Sequence, residues 1–253
     1  MNVIANPVFY LIAIPAVIAL GLSKGGFAGV GILSTPLLAL YLPPLEAAAL
    51  ILPILISQDA ISVWWYRRDW DAWNLKVMFP GAMLGMSLAW IFAAYVPDAA
   101  IRIAVGVIGV SFVLYTIARR EPAQAQKKTA ASGLFWGSVS GFTSFLSQAG
   151  GPPYQVHVLP QRLPKLTLVG TTTIFFAAVN FLKIGPYFAL GQFSIRNLAT
   201  SLMLLPLAIA ANALGIWLVR VTPTGLFYKI AYTLVFCVSA LLLWQGIADL
   251  MQR

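Results

Sequence analysis

The sequence predicts an all-α polytopic membrane protein made of two inverted repeats, each of about five membrane segments, some of them short broken or re-entrant helices. Three observations lead there. Hydrophobic residues make up 60% of the chain and charged residues 9%, with a mean hydropathy of +0.86, whereas a soluble domain carries roughly a quarter charged residues. Apolar runs close to a span in length recur along all 253 residues, without the period-2 alternation of a barrel wall. Finally, the two halves of the chain resemble one another.

The expected spans are 6–22, 28–42, 45–65, 75–95 and 99–118, then 131–148, 152–162, 165–186, 196–219 and 225–248. Most of them can cross about 30 Å of hydrocarbon at about 1.5 Å per residue. The segments 28–42 and 152–162 are too short to cross comfortably, and both lie beside glycines and prolines. The opening stretch "MNVIANPVFYLIAIPAVIALG" lacks a basic n-region, so it reads as a retained first span. A single transmembrane domain then fills 1–253, with repeat 1 over 1–118, the linker "RREPAQAQKKTA" over 119–130, and repeat 2 over 131–253.

The repeat is visible directly. "LPPLEAAALILPILISQD" (42–59) aligns without a gap to "LPKLTLVGTTTIFFAAVN" (163–180), which makes Asp59 and Asn180 equivalent. Pro80 and Pro97 correspond to Pro206 and Pro223 at one constant offset. Basic residues decide the relative direction of the halves. If 66–74 and 119–130 are cytoplasmic, inverting the second half also brings Arg162, Lys165 and Arg220 inside. A parallel second half would export those three and gain only Arg196 and Arg253. Inversion is favoured. The net charge of +9 thus serves topology, and no nucleic-acid partner is expected.

Two stretches interrupt the apolar pattern. "GLSKGGFAGVG" (21–31) places Lys24 among glycines, and "SFLSQAGGPPYQVHVLPQRLP" (144–164) contains Gly150-Gly151-Pro152-Pro153, which cannot continue a helix. Either stretch alone reads as a small-residue packing face. At equivalent places in a repeat, they read as the paired broken helices that form a transporter's binding site. Broken helices expose backbone N–H groups, tolerable only within protein or against a watery cavity, and helix N-termini facing that cavity favour an anion. The candidate substrate-binding residues are Lys24, Gly25, Gly26, Ser147, Gln148, Gly150 and Gly151. Lys24 either offers charge to an anion or snorkels to the interface. Gln148, with Ser144 and Ser147, supplies neutral donors.

Asp59, His157, Asn180 and Thr172 are candidates for gating or coupling. Asp59 is either an interfacial carboxylate or an acid lining the path, and Lys183, one turn after Asn180, could snorkel outward. His157 is the only histidine and Cys237 the only cysteine, so neither a metal centre nor an intrachain disulfide is expected. No cofactor is implied. An intramembrane enzyme is disfavoured, because the chain has no paired Asp, no HExxH and no Ser–His pair at a workable spacing.

"GLSKGGFAGVGILSTPLLALYLPP" and "GFTSFLSQAGGPPYQVHVLPQRLPKLTLVGTTTIFF" resemble the two signature halves of the TauE/SafE family of sulfite exporters, and the resemblance covers essentially the whole chain. It implies a multi-pass transporter of the bacterial inner membrane that exports sulfite, sulfoacetate or related organosulfonates by secondary transport. Many members carry an uninterrupted glycine cluster where Lys24 precedes Gly25-Gly26, and further glycine where Gln148-Ala149 stand here. The alternatives are a transporter of another small anion or organic acid, or a non-transporting membrane assembly protein. The expected partners are the anion and the lipid bilayer. A homodimer is an expectation with no motif behind it.

Overall fold

The structure is a computed structural model that describes residues 4, 6–27, 31, 34–39, 41, 44–92, 95, 97–118, 129–189 and 194–251. Its helices are α1 (Pro7–Gly25), α2 (Ser34–Ala39), α3 (Pro44–Tyr66), α4 (Ala72–Phe92) and α5 (Asp98–Ala118), followed by α6 (Ala130–Ser147), α7 (Gly151–Val158), α8 (Lys165–Ala189), α9 (Ile195–Val221) and α10 (Thr224–Met251). A short 3-10 turn, Leu159–Gln161, follows α7. Most of the linker 119–130 lies outside the described residues. Among the described residues, α1, α4, α8, α9 and α10 are long and apolar enough to cross a membrane. The chain is a multi-pass membrane protein.

Local chemistry sets the helix ends. The side chains of Asn6, Thr129 and Ser194 accept N–H groups from the first turns of α1, α6 and α9, satisfying donors that a helix start leaves unpaired. Helix α1 stops at Gly26, whose φ of 137° suits glycine alone, while Phe27 N–H returns to the Leu22 carbonyl. Helix α6 stops at Gln148, a left-handed residue with φ 57° whose N–H donates to the Ser144 carbonyl.

The two short expected spans do not cross. Helices α2 and α7 hold 6 and 8 residues, or roughly 9 and 12 Å of rise. Each folds back along the helix before it. The Ser34 hydroxyl donates to the Ala16 carbonyl at 2.7 Å, and the Tyr41 ring meets Phe9 at 5.5 Å, so the chain after α1 returns to the end where α1 began. After α6, His157 Nδ1 reaches the Ser132 hydroxyl at 3.0 Å, beside the start of α6. Two hairpins result, and their turns lie in the interior.

Two glycine seams lock the hairpins to long helices. Gly21 and Gly25 of α1 face Ala211 and Gly215 of α9, and Gly81 and Gly85 of α4 face Ser138 of α6, where Gly137 and Gly141 face Met78 and Ala82 in return. Both seams join parallel helices, because contacts advance in the same direction along each pair. Two other pairs, α3 with α8 and α5 with α10, run antiparallel. Leu52, Asp59 and Asp71 on or after α3 meet Tyr187, Asn180 and Thr171 of α8. Gly106 and Gly109 of α5 meet Leu243 and Ser239 of α10.

One end of the molecule collects basic groups. Arg67 and Arg68 follow α3, and the Arg220 guanidinium covers the Trp65 ring at 4.8 Å. Lys165 Nζ donates to the Thr222 carbonyl at 2.6 Å, capping the end of α9. Exposed Trp64, Trp65 and Trp70 surround this end, as an interfacial aromatic belt would.

The seams generate a stability prediction. A Cβ at Gly141 would strike the Ala82 backbone, whereas one at Gly225 would meet nothing within 4 Å. Gly141→Val is expected to cost about 1–3 kcal/mol, read as a lower midpoint in thermal unfolding of detergent-purified protein. Gly225→Ala should leave that midpoint unchanged.

Candidate functional site

The hairpin turns converge, with α3 and α8, on a half-open cavity whose empty space, open solvent included, is about 780 Å³. Leu20, Ile51, Leu55, Val169 and Phe176 form its apolar wall. Its polar lining comes from Ser23 and Lys24 of the first hairpin, Ser144 and Gln148 of the second, and Thr172, Thr173 and Asn180 of α8. A mostly apolar cleft with a few convergent polar groups is the usual form of a small-ligand site.

A chain of polar contacts runs behind this lining. Lys24 Nζ lies 2.5 Å from Asp59 Oδ1, with side-chain exposures of 13% and 6%. The other carboxylate oxygen of Asp59 accepts from Asn180 Nδ2 at 2.8 Å. That bond fixes the amide, since a carboxylate only accepts, and it turns Asn180 Oδ1 toward Lys183. Lys183 is 0% exposed. Its Nζ donates to Ser144 Oγ at 2.9 Å, Gln148 Oε1 at 2.8 Å and Asn180 Oδ1 at 3.5 Å. Three oxygens around three N–H bonds are the pattern of an ammonium. Among the described residues, no carboxylate lies within ion-pair distance of Lys183.

Gln148 adds a second unusual group. Its Oε1 serves Lys183, and its buried Nε2 has no hydrogen-bond partner among the described residues. A buried unpaired amide donor is costly by about 1–3 kcal/mol. Beside a cationic side chain on a cavity wall, it is a ready donor for an incoming acceptor.

The candidates named from the sequence separate into groups. Lys24, Gly26, Gln148, Gly151, Thr172 and Asn180 line the cavity, and Asp59 stands behind Lys24. Gly25 and Gly150 are packing glycines, the former against Gly215 and the latter against Ser140 and Ser144 of α6. The Ser147 side chain lies outside the described residues. The expected row of helix N-terminal donors is thinner than two broken helices suggest. The first turn meets the cavity through the C-terminal end of α1, and Pro152 and Pro153 deprive the start of α7 of N–H groups.

Of the two readings of Asp59, its burial at 4% favours the interior one, and Lys183 is enclosed rather than directed outward. Lys183 is the charged side chain behind the cavity that the sequence reading did not place among the site candidates, whereas Ser144 was named with Gln148 as a neutral donor. The signal for Lys183 was its i+3 spacing from Asn180, which sets both on one face of α8.

His157 lies apart from the cavity. Its Nε2 donates to Asn74 Oδ1 at 3.2 Å, its ring stacks on Trp73, and Gln161 bonds both Asn74 and the His157 carbonyl. These contacts tie α7 to α4 and α6. Asn74→Ala is expected to destabilise the protein by about 1–3 kcal/mol, the usual effect of orphaning buried polar partners. Calorimetric anion affinity of that variant should match the unmodified chain; a changed affinity would connect His157 to the site.

Neither the curated proteins nor the solved structures include a match to the chain. The family model described as "Sulfite exporter TauE/SafE" matches residues 12–242. The second hairpin, all of the first but the opening residues of α1, both glycine seams and all the polar lining groups of the cavity fall within that span, and the chain belongs to the TauE/SafE sulfite exporter family.

Proposed function

We propose that this protein is a secondary transporter that exports a small sulfur-containing anion, sulfite or an organosulfonate, across the bacterial inner membrane by alternating access. The observation that carries the reading is Lys183, an enclosed ammonium held by three neutral oxygens, with no carboxylate of its own among the described residues. Lys24 and Gln148, whose Nε2 is unpaired among the described residues, line the cavity in front of it. Sulfite and sulfonate spread their charge over several oxygens, each of which takes a short charge-assisted hydrogen bond. The apolar wall suits the organic part of a sulfonate.

Helix directions support an inverted repeat. The alignment makes α3 equivalent to α8, and the Pro97–Pro223 correspondence makes α5 equivalent to α10. Both of these pairs pack antiparallel, as equivalent helices do about an axis in the membrane plane. The two parallel seams exchange with one another under the same operation, because α1 corresponds to α6 and α9 to α4. Asp59 and Asn180, equivalent in sequence, bond to each other at 2.8 Å, which only groups near such an axis can do. The gathering of Arg67, Arg68, Lys165 and Arg220 at one end supports a cytoplasmic assignment for that end. Two hairpins entering from opposite ends, with turns at one shared cavity, are the layout alternating access uses.

Flux tests the proposal. In proteoliposomes loaded with labelled sulfite or methanesulfonate, the unmodified chain should release the anion, and Lys183→Met should slow release by about tenfold or more, the loss expected from a charged hydrogen bond. Undiminished release by a folded Lys183→Met variant would remove the main support for the anion site. Absence of release for every sulfur anion by the unmodified chain would remove the transport reading.

A further inference from the structure

Three charged side chains meet at the cavity, and they do not balance. Lys24 lines it, Asp59 pairs with Lys24 at 2.5 Å, and Lys183 stands behind Ser144, Gln148 and Asn180. Lys24 is the only charged residue among the described lining residues. With both lysines as ammonium groups and Asp59 ionised, the site carries one uncompensated positive charge. A monovalent anion would leave the filled site neutral. A divalent anion would leave excess negative charge among apolar side chains, where low dielectric makes net charge expensive.

We propose that Asp59 sets the valence of the anion the cavity accepts, selecting monovalent sulfonates and hydrogen sulfite over divalent, sulfate-like anions. The inference rests on the anion-site reading above and goes further, since it assigns a selectivity role to a residue that does not itself line the cavity. The chain already shows the neutral alternative. Asn180, at the equivalent place in the second half, has nearly the shape of an aspartate without the charge. An asparagine at 59 keeps one acceptor oxygen, so at their present positions it can accept from Lys24 or from Asn180 Nδ2 but not from both, and the site would then hold two positive charges. The C-terminal ends of α1 and α6 and the start of α7 also bring dipoles to the cavity, yet these are the same in every variant and cancel from ratios.

The test is isothermal titration calorimetry of the purified full chain in detergent, with sodium methanesulfonate and sodium sulfate at constant ionic strength. Calorimetry is preferred to thermal shift because sulfate stabilises folded proteins without binding a site. The unmodified chain should bind methanesulfonate more tightly than sulfate. Asp59→Asn should move the ratio toward sulfate by about tenfold or more, as one unit of charge does in a low-dielectric pocket. The double variant Lys24→Met/Asp59→Asn returns the site to one positive charge and should restore the original preference.

An Asp59→Asn ratio equal to that of the unmodified chain overturns the selectivity role and leaves the anion site standing. So does a double variant that keeps the preference of Asp59→Asn. Should Asp59→Asn fail to purify as a folded protein, Lys24→Met alone, with no net charge, is expected to lose both anions. The double variant should then regain methanesulfonate, and its failure to do so overturns the proposal equally. No heat with either anion from the unmodified chain would overturn the anion site itself.

Discussion

The centre of the molecule depends on one contact, the amide of Asn180 against the carboxylate of Asp59. An ionised carboxylate offers only acceptors, so it dictates which end of the amide faces it. That choice presents a carbonyl oxygen to Lys183 and helps hold an ammonium that has no ion-pair partner among the described residues. The same carboxylate holds Lys24 on its other side. Removing charges from water is expensive, and here the expense is spread over a chain of partners that each have a defined orientation. Helices α3 and α8 must cross at this point for the chain to form, which places the cavity between them.

The hairpin turns need their own accounting, since a helix end within a membrane leaves carbonyls without partners. Helix α1 solves this with side chains of α3. Tyr66 donates to the Gly25 carbonyl at 2.8 Å, and the Ser62 hydroxyl reaches the Lys24 carbonyl at 3.0 Å. Ser62 also lies 3.0 Å from Asn212 Oδ1, and Asn212 donates to the Gln58 carbonyl. Polar groups of α3 and α9 therefore complete the end of α1, which can stop beside the cavity without exposing backbone to lipid. In the second hairpin, the Ser140 hydroxyl donates to the Gly150 carbonyl at 2.8 Å.

Much of this was legible in the sequence because the bilayer is a demanding solvent. Span boundaries followed from apolar length, and the helix ends lie within a few residues of expectation. The glycine clusters marked where helices break, because glycine and proline at membrane depth demand compensation. What stayed hidden was the sorting of those glycines. Gly25 and Gly26 are neighbours, yet one packs on Gly215 and the other borders the cavity; the difference is the break in the helix at Gly26, where φ turns to 137°, which no local pattern places between the two. The enclosure of Lys183 stayed hidden for a related reason. A lysine near a helix end commonly snorkels, and only the arrival of Ser144 and Gln148 from another helix gives its ammonium a reason to remain inside.

The glycine seams also bear on how the chain is made. Each seam joins a helix of the first half to one of the second: α4 finds its partner in α6, and α1 in α9, whose contacts lie about 190 residues further on. A chain entering the bilayer from its N-terminus must hold the small-residue face of α1 against lipid or provisional neighbours until α9 has been synthesised. Helix α4 waits only for the next hairpin. Assembly of the central cavity is accordingly late, since its first wall cannot be fixed before the penultimate helix is in place, and a chain truncated ahead of α9 would remain dependent on whatever in the membrane shelters an unfinished packing face.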